Sequence, residues 1–219
     1  QTLTGNFTKS GATSTATVRF GGVNKTYTKS GSGTITNTLI NYEVNAANAL
    51  LNLNSNIDVA TSRTFTVSNG LLYMGANLLT GLGTFSITNS TTTGLGIGHA
   101  QGITTSGATG NIQTATRSTL TAATSSSFFY NGTVAQATVN ALPVTVNNLT
   151  IDNSSGTGVV TLTNALAITT ALTLNQGLLT LGANNLTLNS TGMTAIQGNT
   201  PSATNMVVTD GAGYLIKSF

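Results

Sequence analysis

The chain has 219 residues, 39% of them apolar but only 5% aromatic and 5% charged, with no Trp and no Cys. Such a core is filled by Leu, Val, Ile and Ala in many thin layers. A charge content far below the roughly 25% of an ordinary soluble domain leaves Thr, Asn, Ser and backbone to meet water. The missing Cys excludes a disulfide framework and a thiolate metal site, and a net charge of +3 is too sparse for a nucleic-acid footprint.

Taken in chain order, Gln1-Thr2-Leu3-Thr4 lacks the basic start and apolar run of a signal peptide, so a secreted protein is expected here in its mature form. Lys9, Arg19, Lys25 and Lys29 fall in the first thirty residues and read as a solvated rim. Apolar residues then alternate in pairs: Tyr42 and Val44, Leu51 and Leu53, Ile57 and Val59, Phe65 and Val67, Leu72 and Met74. Between the first two pairs, residues 45–51 offer at most one helical turn, because Asn recurs there and no amphipathic pattern flanks it. Ser125-Ser126-Ser127 reads as a loop entering a strand, Phe128-Phe129-Tyr130, whose aromatics seal the core. No stretch approaches the roughly 18 apolar residues of a membrane helix, so no membrane insertion is expected.

Residues 148–190 carry the clearest pattern. Apolar–small–apolar triplets start at Leu149, Val160, Leu166, Leu172, Leu179 and Leu186, each with the period of a strand that buries one face. Intervals of six or seven residues suit a chain that keeps turning the same way, with three short strands per coil of about 19 to 20 residues. A sandwich wants strands 8–12 residues apart. The expected fold is all-β, a right-handed parallel β-helix (β-solenoid) forming a single elongated rod. In it Leu149, Ile151, Leu162, Ile168, Leu172, Leu174, Leu179, Leu181, Leu186 and Leu188 point inward.

An internal repeat supports this. The segment Gly70-Leu71-Leu72-Tyr73-Met74-Gly75-Ala76-Asn77 returns 107 positions later as Gly177-Leu178-Leu179-Thr180-Leu181-Gly182-Ala183-Asn184. Tyr42 to Leu149 and Phe65 to Leu172 show the same lag, whereas Ser10-Gly11-Ala12-Thr13 returns after 96 positions as Ser106-Gly107-Ala108-Thr109. The change in lag places an insertion between about 110 and 130. Residues 1–105 form a first solenoid repeat and 106–219 a second, continuous with the first.

The residues able to do chemistry are few: His99 and the carboxylates Glu43, Asp58, Asp152 and Asp210. Glu43 and Asp58 sit at outward strand positions between apolar neighbours. Asp152, before Asn153-Ser154-Ser155-Gly156, and Asp210, before Gly211, read as turn residues. Four scattered acids supply neither a calcium roll nor the acid clusters of β-helix lyases. His99 has no second His, Cys or near carboxylate in sequence, so no metal site is expected. Gly94, Gly96 and Gly98 lack the spacing, the strand–helix context and the following Lys of a phosphate loop. No catalytic, cofactor-binding or metal-ligating residue is assigned, and no cofactor is expected. Threonines at 13, 15 and 17, at 34, 36 and 38, and at 91–93 could form hydroxyl arrays of the kind that bind ice. Thr-x-Thr is not expected to recur coil after coil on one face, and Thr150, Thr161, Thr173, Thr180 and Thr187 read as β-prone surface.

Several segments resemble the β-solenoid repeats of large surface adhesin-like proteins of Bacteroidetes: Gly107-Ala108-Thr109-Gly110-Asn111-Ile112-Gln113, Phe129-Tyr130-Asn131-Gly132-Thr133, the run from Leu142 to Ile151, and Leu181-Gly182-Ala183-Asn184-Asn185-Leu186-Thr187-Leu188. Residues 90–219 carry the resemblance, and 1–90 follow it loosely. It implies export by type IX secretion and display on, or release from, the cell surface. Members often end in a sorting domain, whereas this chain stops at Lys217-Ser218-Phe219, about where a third repeat would begin. A fragment, a processed form or a departure from that layout is the corresponding expectation. The resemblance carries over no catalytic residue.

The expected function is a non-enzymatic extracellular structural or adhesive protein, a surface adhesin or fibre component. The expected partners are other chains, through end-to-end or edge-strand association, and surface polysaccharide, but not nucleic acid. A glycan-binding or glycan-cleaving β-helix module is the alternative, and an ice-binding protein the remote one.

Overall fold

The computed structural model describes residues 2–4, 7–8, 15–30, 35–36, 39–156 and 158–219. The chain is all-β and coils as a parallel β-solenoid of about eight turns. Apart from one isolated bridge between Ser202 and Asn205, every strand pairing among the described residues is parallel. The sole helical element among them is a 3-10 turn, Met193–Ala195.

Three faces, here A, B and C, follow one another around each coil, and each strand pairs with the strand one coil away on its own face. Face B is the most continuous: Leu51, Leu72, Leu95, Phe128, Leu149, Leu172 and Ile196 lie in one column, each in register with the next. Face A stacks Val18, Tyr42, Phe65 and Phe85, and further along Val146, Ile168, Leu188 and Lys217. Face C stacks Ile57, Leu79 and Ile112, then Val160, Leu179 and Val207. A parallel ladder forces equivalent side chains to lie one above another about 4.8 Å apart. Like residues therefore build columns, and Tyr42, Phe65 and Phe85 stack with ring centroids 6.0 and 6.2 Å apart.

The core is the set of inward columns. All ten residues expected to point inward are 0–5% exposed. Each buried Leu or Ile contributes about 1.5–3 kcal/mol, and the thin aliphatic layers anticipated from composition are what the coils contain. Phe128 and Tyr130 also close the core, both fully buried on the strand Ser127–Tyr130, and the Tyr130 hydroxyl donates to the Thr138 carbonyl at 3.1 Å.

Two expectations about spacing are corrected. The triplets at 166, 172 and 179 are not separate strands but one hydrogen-bonded strand, Leu166–Thr180, that bends around two corners. Ile40–Leu53 does the same, so residues 45–51 form a strand corner, with register breaks after Val44 and Asn45 and a positive φ of 60° at Asn48, rather than a helical turn. Coil length also varies more widely than the triplet spacing implied. Val159 pairs with Leu178 and Phe65 with Phe85, at the expected spacing, but Tyr42 pairs with Phe65 and Leu95 with Phe128, over longer intervals. The interval from Leu95 to Phe128 is the longest of these and holds the loops of the region where the insertion was placed.

The internal repeat is local in its backbone but not in its stacking. Gly70 and Gly177 have φ of 105° and 99°, and Gly75 and Gly182 have 53° and 54°. The side-chain amides of Asn77 and Asn184 donate to the carbonyls of Leu53 and Leu162, each one coil back, at 2.6 and 2.8 Å. Yet Leu72 stands in the column of face B and Leu179 in that of face C. The second copy is thus turned by one face relative to the first. The segments Ser10–Thr13 and Thr34–Thr38, invoked for the shorter lag and for hydroxyl rows, lie wholly or mostly outside the described residues.

Candidate functional surface

The fold disperses the ionisable side chains. Glu43 points outward on face A, as expected, but it is held rather than freely solvated. Arg19, in register one coil earlier, donates from Nε to Glu43 Oε2 at 2.8 Å, and Asn45 Nδ2 and Ser68 Oγ each donate to Oε1 at 2.9 Å. Partial desolvation opposes the charge, but these hydrogen bonds and the guanidinium outweigh it and hold the carboxyl below the usual glutamate range. Arg19 and Glu43 are separated in sequence by one coil, which was the available signal for the pair.

The other acids are scattered over the rod. Asp58 is exposed between buried Ile57 and Val59. Asp152 ends the strand Thr145–Asp152, and the Asx turn expected of it belongs to its neighbour: Asn153 Oδ1 accepts from the Ser155 N–H at 3.0 Å. Asn153 is fully buried and also donates to Gln136 Oε1 at 2.9 Å, while Gln136 donates to the Ile97 carbonyl, so this amide pair clamps neighbouring coils. Asp210 Oδ1 accepts from the Gly182 N–H at 2.7 Å. Among the described residues no three His, Cys, Asp or Glu side chains gather as metal ligands. His99 Nδ1 accepts from the Gln101 N–H at 3.1 Å, and its backbone N–H donates to Asn111 Oδ1.

The glycines of the 94–98 segment serve close packing. A Cβ at Gly96 would lie 2.5 Å from the Tyr73 ring, and one at Gly98 would lie 2.4 Å from the Gly75 backbone. Tyr73 and Phe129 flank Gly96 in the outward column of face B and meet above it, ring centroids 5.2 Å apart. Burial, and secondly the charge of Asp152, push the Tyr73 phenol up to about 12. This aromatic pair, with half-buried Leu71 and Leu50 beside it, was not anticipated from sequence, because Tyr73 and Phe129 are neighbours only through the stacking of two coils.

Outward hydroxyls form rows. On face A, Thr64, Thr84 and Thr116 stack in register, as do Thr66 and Ser86. Thr-x-Thr itself does not recur on the next coil, as expected, since Thr64-x-Thr66 is followed by Thr84-x-Ser86; the row Thr64–Thr84–Thr116 is what the unequal intervals hide in the sequence. On face C, Thr180 donates to Thr161 at 3.3 Å. Thr150, between Phe129 and Thr173 in its column, is outward yet only 9% exposed, so it is not open surface. Thr93, one of the proposed array residues, is buried and bonded to Ser126.

One buried charge was also missed. Arg117 follows Thr116, the bridge partner of Thr84, and so falls in line with Phe85. It is 4% exposed; its Nη2 donates to the Gly107 carbonyl, while Nε and Nη1 are enclosed without a partner among the described residues. Desolvation lowers its pKa. Comparison of the chain with protein-family models, curated proteins and solved structures finds no match.

Proposed function

We propose that this chain is a non-enzymatic structural or adhesive module that acts outside the cell or on its surface. The observation that carries the reading is the stacking of neutral hydrogen-bonding side chains in outward rows, Thr64–Thr84–Thr116 on face A and Thr161–Thr180 on face C. Rows repeating about every 4.8 Å offer many equivalent weak contacts to a repetitive polymer such as a surface polysaccharide. Many such contacts made at once convert weak single affinities into avidity. The resemblance of residues 90–219 to surface adhesins supports the same reading and suggests export by type IX secretion.

The test is retention on polysaccharide or cell surfaces by the wild type and by a variant carrying Glu43→Gln, Asp58→Asn, Asp152→Asn, Asp210→Asn and His99→Gln. Equal retention without cleavage is expected. Polysaccharide breakdown that disappears with Glu43→Gln alone would overturn the proposal. A glycan-binding module is the second reading, favoured by the Tyr73–Phe129 pair on the outer side of face B. Loss of retention in Tyr73→Ala, with the fold intact, would select it. Ice remains the third ligand to test, by thermal hysteresis, because the hydroxyls of Thr64 and Thr66 stack on those of Thr84 and Ser86 on face A.

A further inference from the structure

A groove lies on the corner that joins face A to face B. It encloses about 540 Å³ and crosses four successive coils, from residues 23–24 through 47–50 and 69–71 to 91–92. At about 4.8 Å per coil, that is a length of about 14 Å. A mismatch of corner lengths creates it. Asn45 is in register with Asn69 and Leu50 with Leu71, so residues 46–49 stand against Gly70 alone. The surplus chain arches outward at exposed Ala47 and Asn48 and rests on Gly70, where a Cβ would lie only 2.7 Å from the Ala49 carbonyl oxygen.

The lining is neutral and mixed. Leu50 and Leu71, half-buried and in register at outward positions, give the groove an apolar floor. Asn24, Asn48, Asn69, Thr91 and Thr92 supply amides and hydroxyls, and no ionisable side chain lines it. The amides are uncommitted. Neither Asn24 nor Asn48 makes a side-chain hydrogen bond among the described residues, and Asn69 Oδ1 is enclosed without a partner among them. An enclosed acceptor left unpaired is unfavourable, and a donor brought by a ligand relieves it. The last torsion of an Asn side chain is soft, so a turn of that amide presents the oxygen to the groove.

We infer that this corner groove binds a short stretch of an uncharged polysaccharide, a run of neutral pyranose units. A pyranose presents apolar C–H faces and a rim of hydroxyls that both donate and accept. Leu50 and Leu71 match the first, and the amides and threonines match the second. An acidic sugar would lose the hydration of its carboxylate with no cation lining the groove to replace it. A peptide would need main-chain partners, and the coil ladder already uses them: the Gly70 N–H donates to the Thr92 carbonyl at 2.9 Å. Leu71 also leads, two residues further along its strand, to Tyr73, so a chain leaving the groove over face B meets the Tyr73–Phe129 rings. This inference deepens the reading of the chain as a module that contacts polysaccharide, and rests on it.

Two variants change the groove in different ways. Asn24 and Asn48 sit in the left-handed region, with φ of 52° and 60°, so Asn24→Gly with Asn48→Gly deletes two amides and keeps both bends. Thr91→Trp, at an exposed site, fills the groove instead. Circular dichroism and a thermal melt check that each variant is folded. The probes for titration calorimetry are cellohexaose, mannohexaose and xylohexaose, with hexagalacturonate as the acidic counterpart. The wild type should bind at least one neutral hexamer and not hexagalacturonate. The paired glycine variant should weaken that binding about tenfold or more, and Thr91→Trp should abolish it. Wild-type chains that bind none of the neutral hexamers, variants that bind as the wild type does, or tighter binding of hexagalacturonate overturn the inference. Retention on whole polysaccharide, measured in parallel on the same three chains, separates the two failures. Retention undiminished in both variants removes the groove and leaves the module standing, whereas no retention by the wild type removes both.

Discussion

Phe65 and Leu172 hold the same place in the sequence repeat, yet Phe65 stacks on Tyr42 in face A and Leu172 stacks on Leu149 in face B. The chain advances four coils and one further face between them. A repeat that rotates in this way preserves each local bend while changing the neighbours above and below, so the two copies are not interchangeable in packing. Phe65 lies between two aromatic rings; Leu172 lies between Leu149 and Ile196.

Substituting Leu181 tests the inward assignment most severely. Leu181 is fully buried, and its N–H donates to the Val208 carbonyl one coil on. Leu181→Asp buries a carboxylate among aliphatic side chains, at a cost of several kcal/mol. Thermal denaturation should show loss of the cooperative transition. Melting near the wild-type temperature would refute the assignment.

Gly98 and Gly156 should respond oppositely to alanine. At Gly98 the new Cβ would press on the Gly75 backbone of the preceding coil, whereas at Gly156 nothing lies within 4 Å. Gly98→Ala should cost about 1–3 kcal/mol or more, and Gly156→Ala should stay within about 0.5 kcal/mol. Denaturant midpoints give the comparison.

Arg117 is expected to be a stability defect. Replacing a buried, poorly partnered cation with an apolar side chain of similar length removes its desolvation cost. Arg117→Met should raise the melting temperature, by about 2–4 °C for each kcal/mol gained in a chain of this size. A lower melting temperature would show that the single bond to Gly107 outweighs that cost.

The Glu43 cluster predicts an acid limb. A carboxyl held below its ordinary value of 4.5 adds stability that is present above that pH and is lost as pH falls through the lower folded value. Melting temperature measured from neutral to acid pH should fall more steeply below 4.5 in the wild type than in Glu43→Gln. Parallel curves would remove Glu43 as the source.

Tyr73 gives an optical check at the alkaline end. With its phenol pushed up to about 12, it should remain neutral at pH values that ionise a free tyrosine. Asp152→Asn should lower its ultraviolet titration midpoint but not restore the ordinary value, because burial is the larger cause. Sign follows from linkage: the unfolded chain ionises first, so this group weakens the fold as pH rises above the unfolded value of 10.0.

The alternation of Leu149 with Ile151, Leu172 with Leu174 and Leu186 with Leu188 determined the fold class and the buried face, since a period of two allows one set of side chains inward. The asparagines and glycines between those triplets marked the corners, because they turn a chain at low steric cost. What sequence order could not decide was the vertical neighbour of each residue. That depends on coil length, which is short from Val159 to Leu178 and long from Leu95 to Phe128, where loops bulge out without disturbing the ladder. The partnership of Arg19 with Glu43, the Tyr73–Phe129 pair, the hydroxyl row from Thr64 to Thr116 and the burial of Arg117 all follow from that stacking. Only the parallel hydrogen-bond register, a property of the assembled coils, selected them.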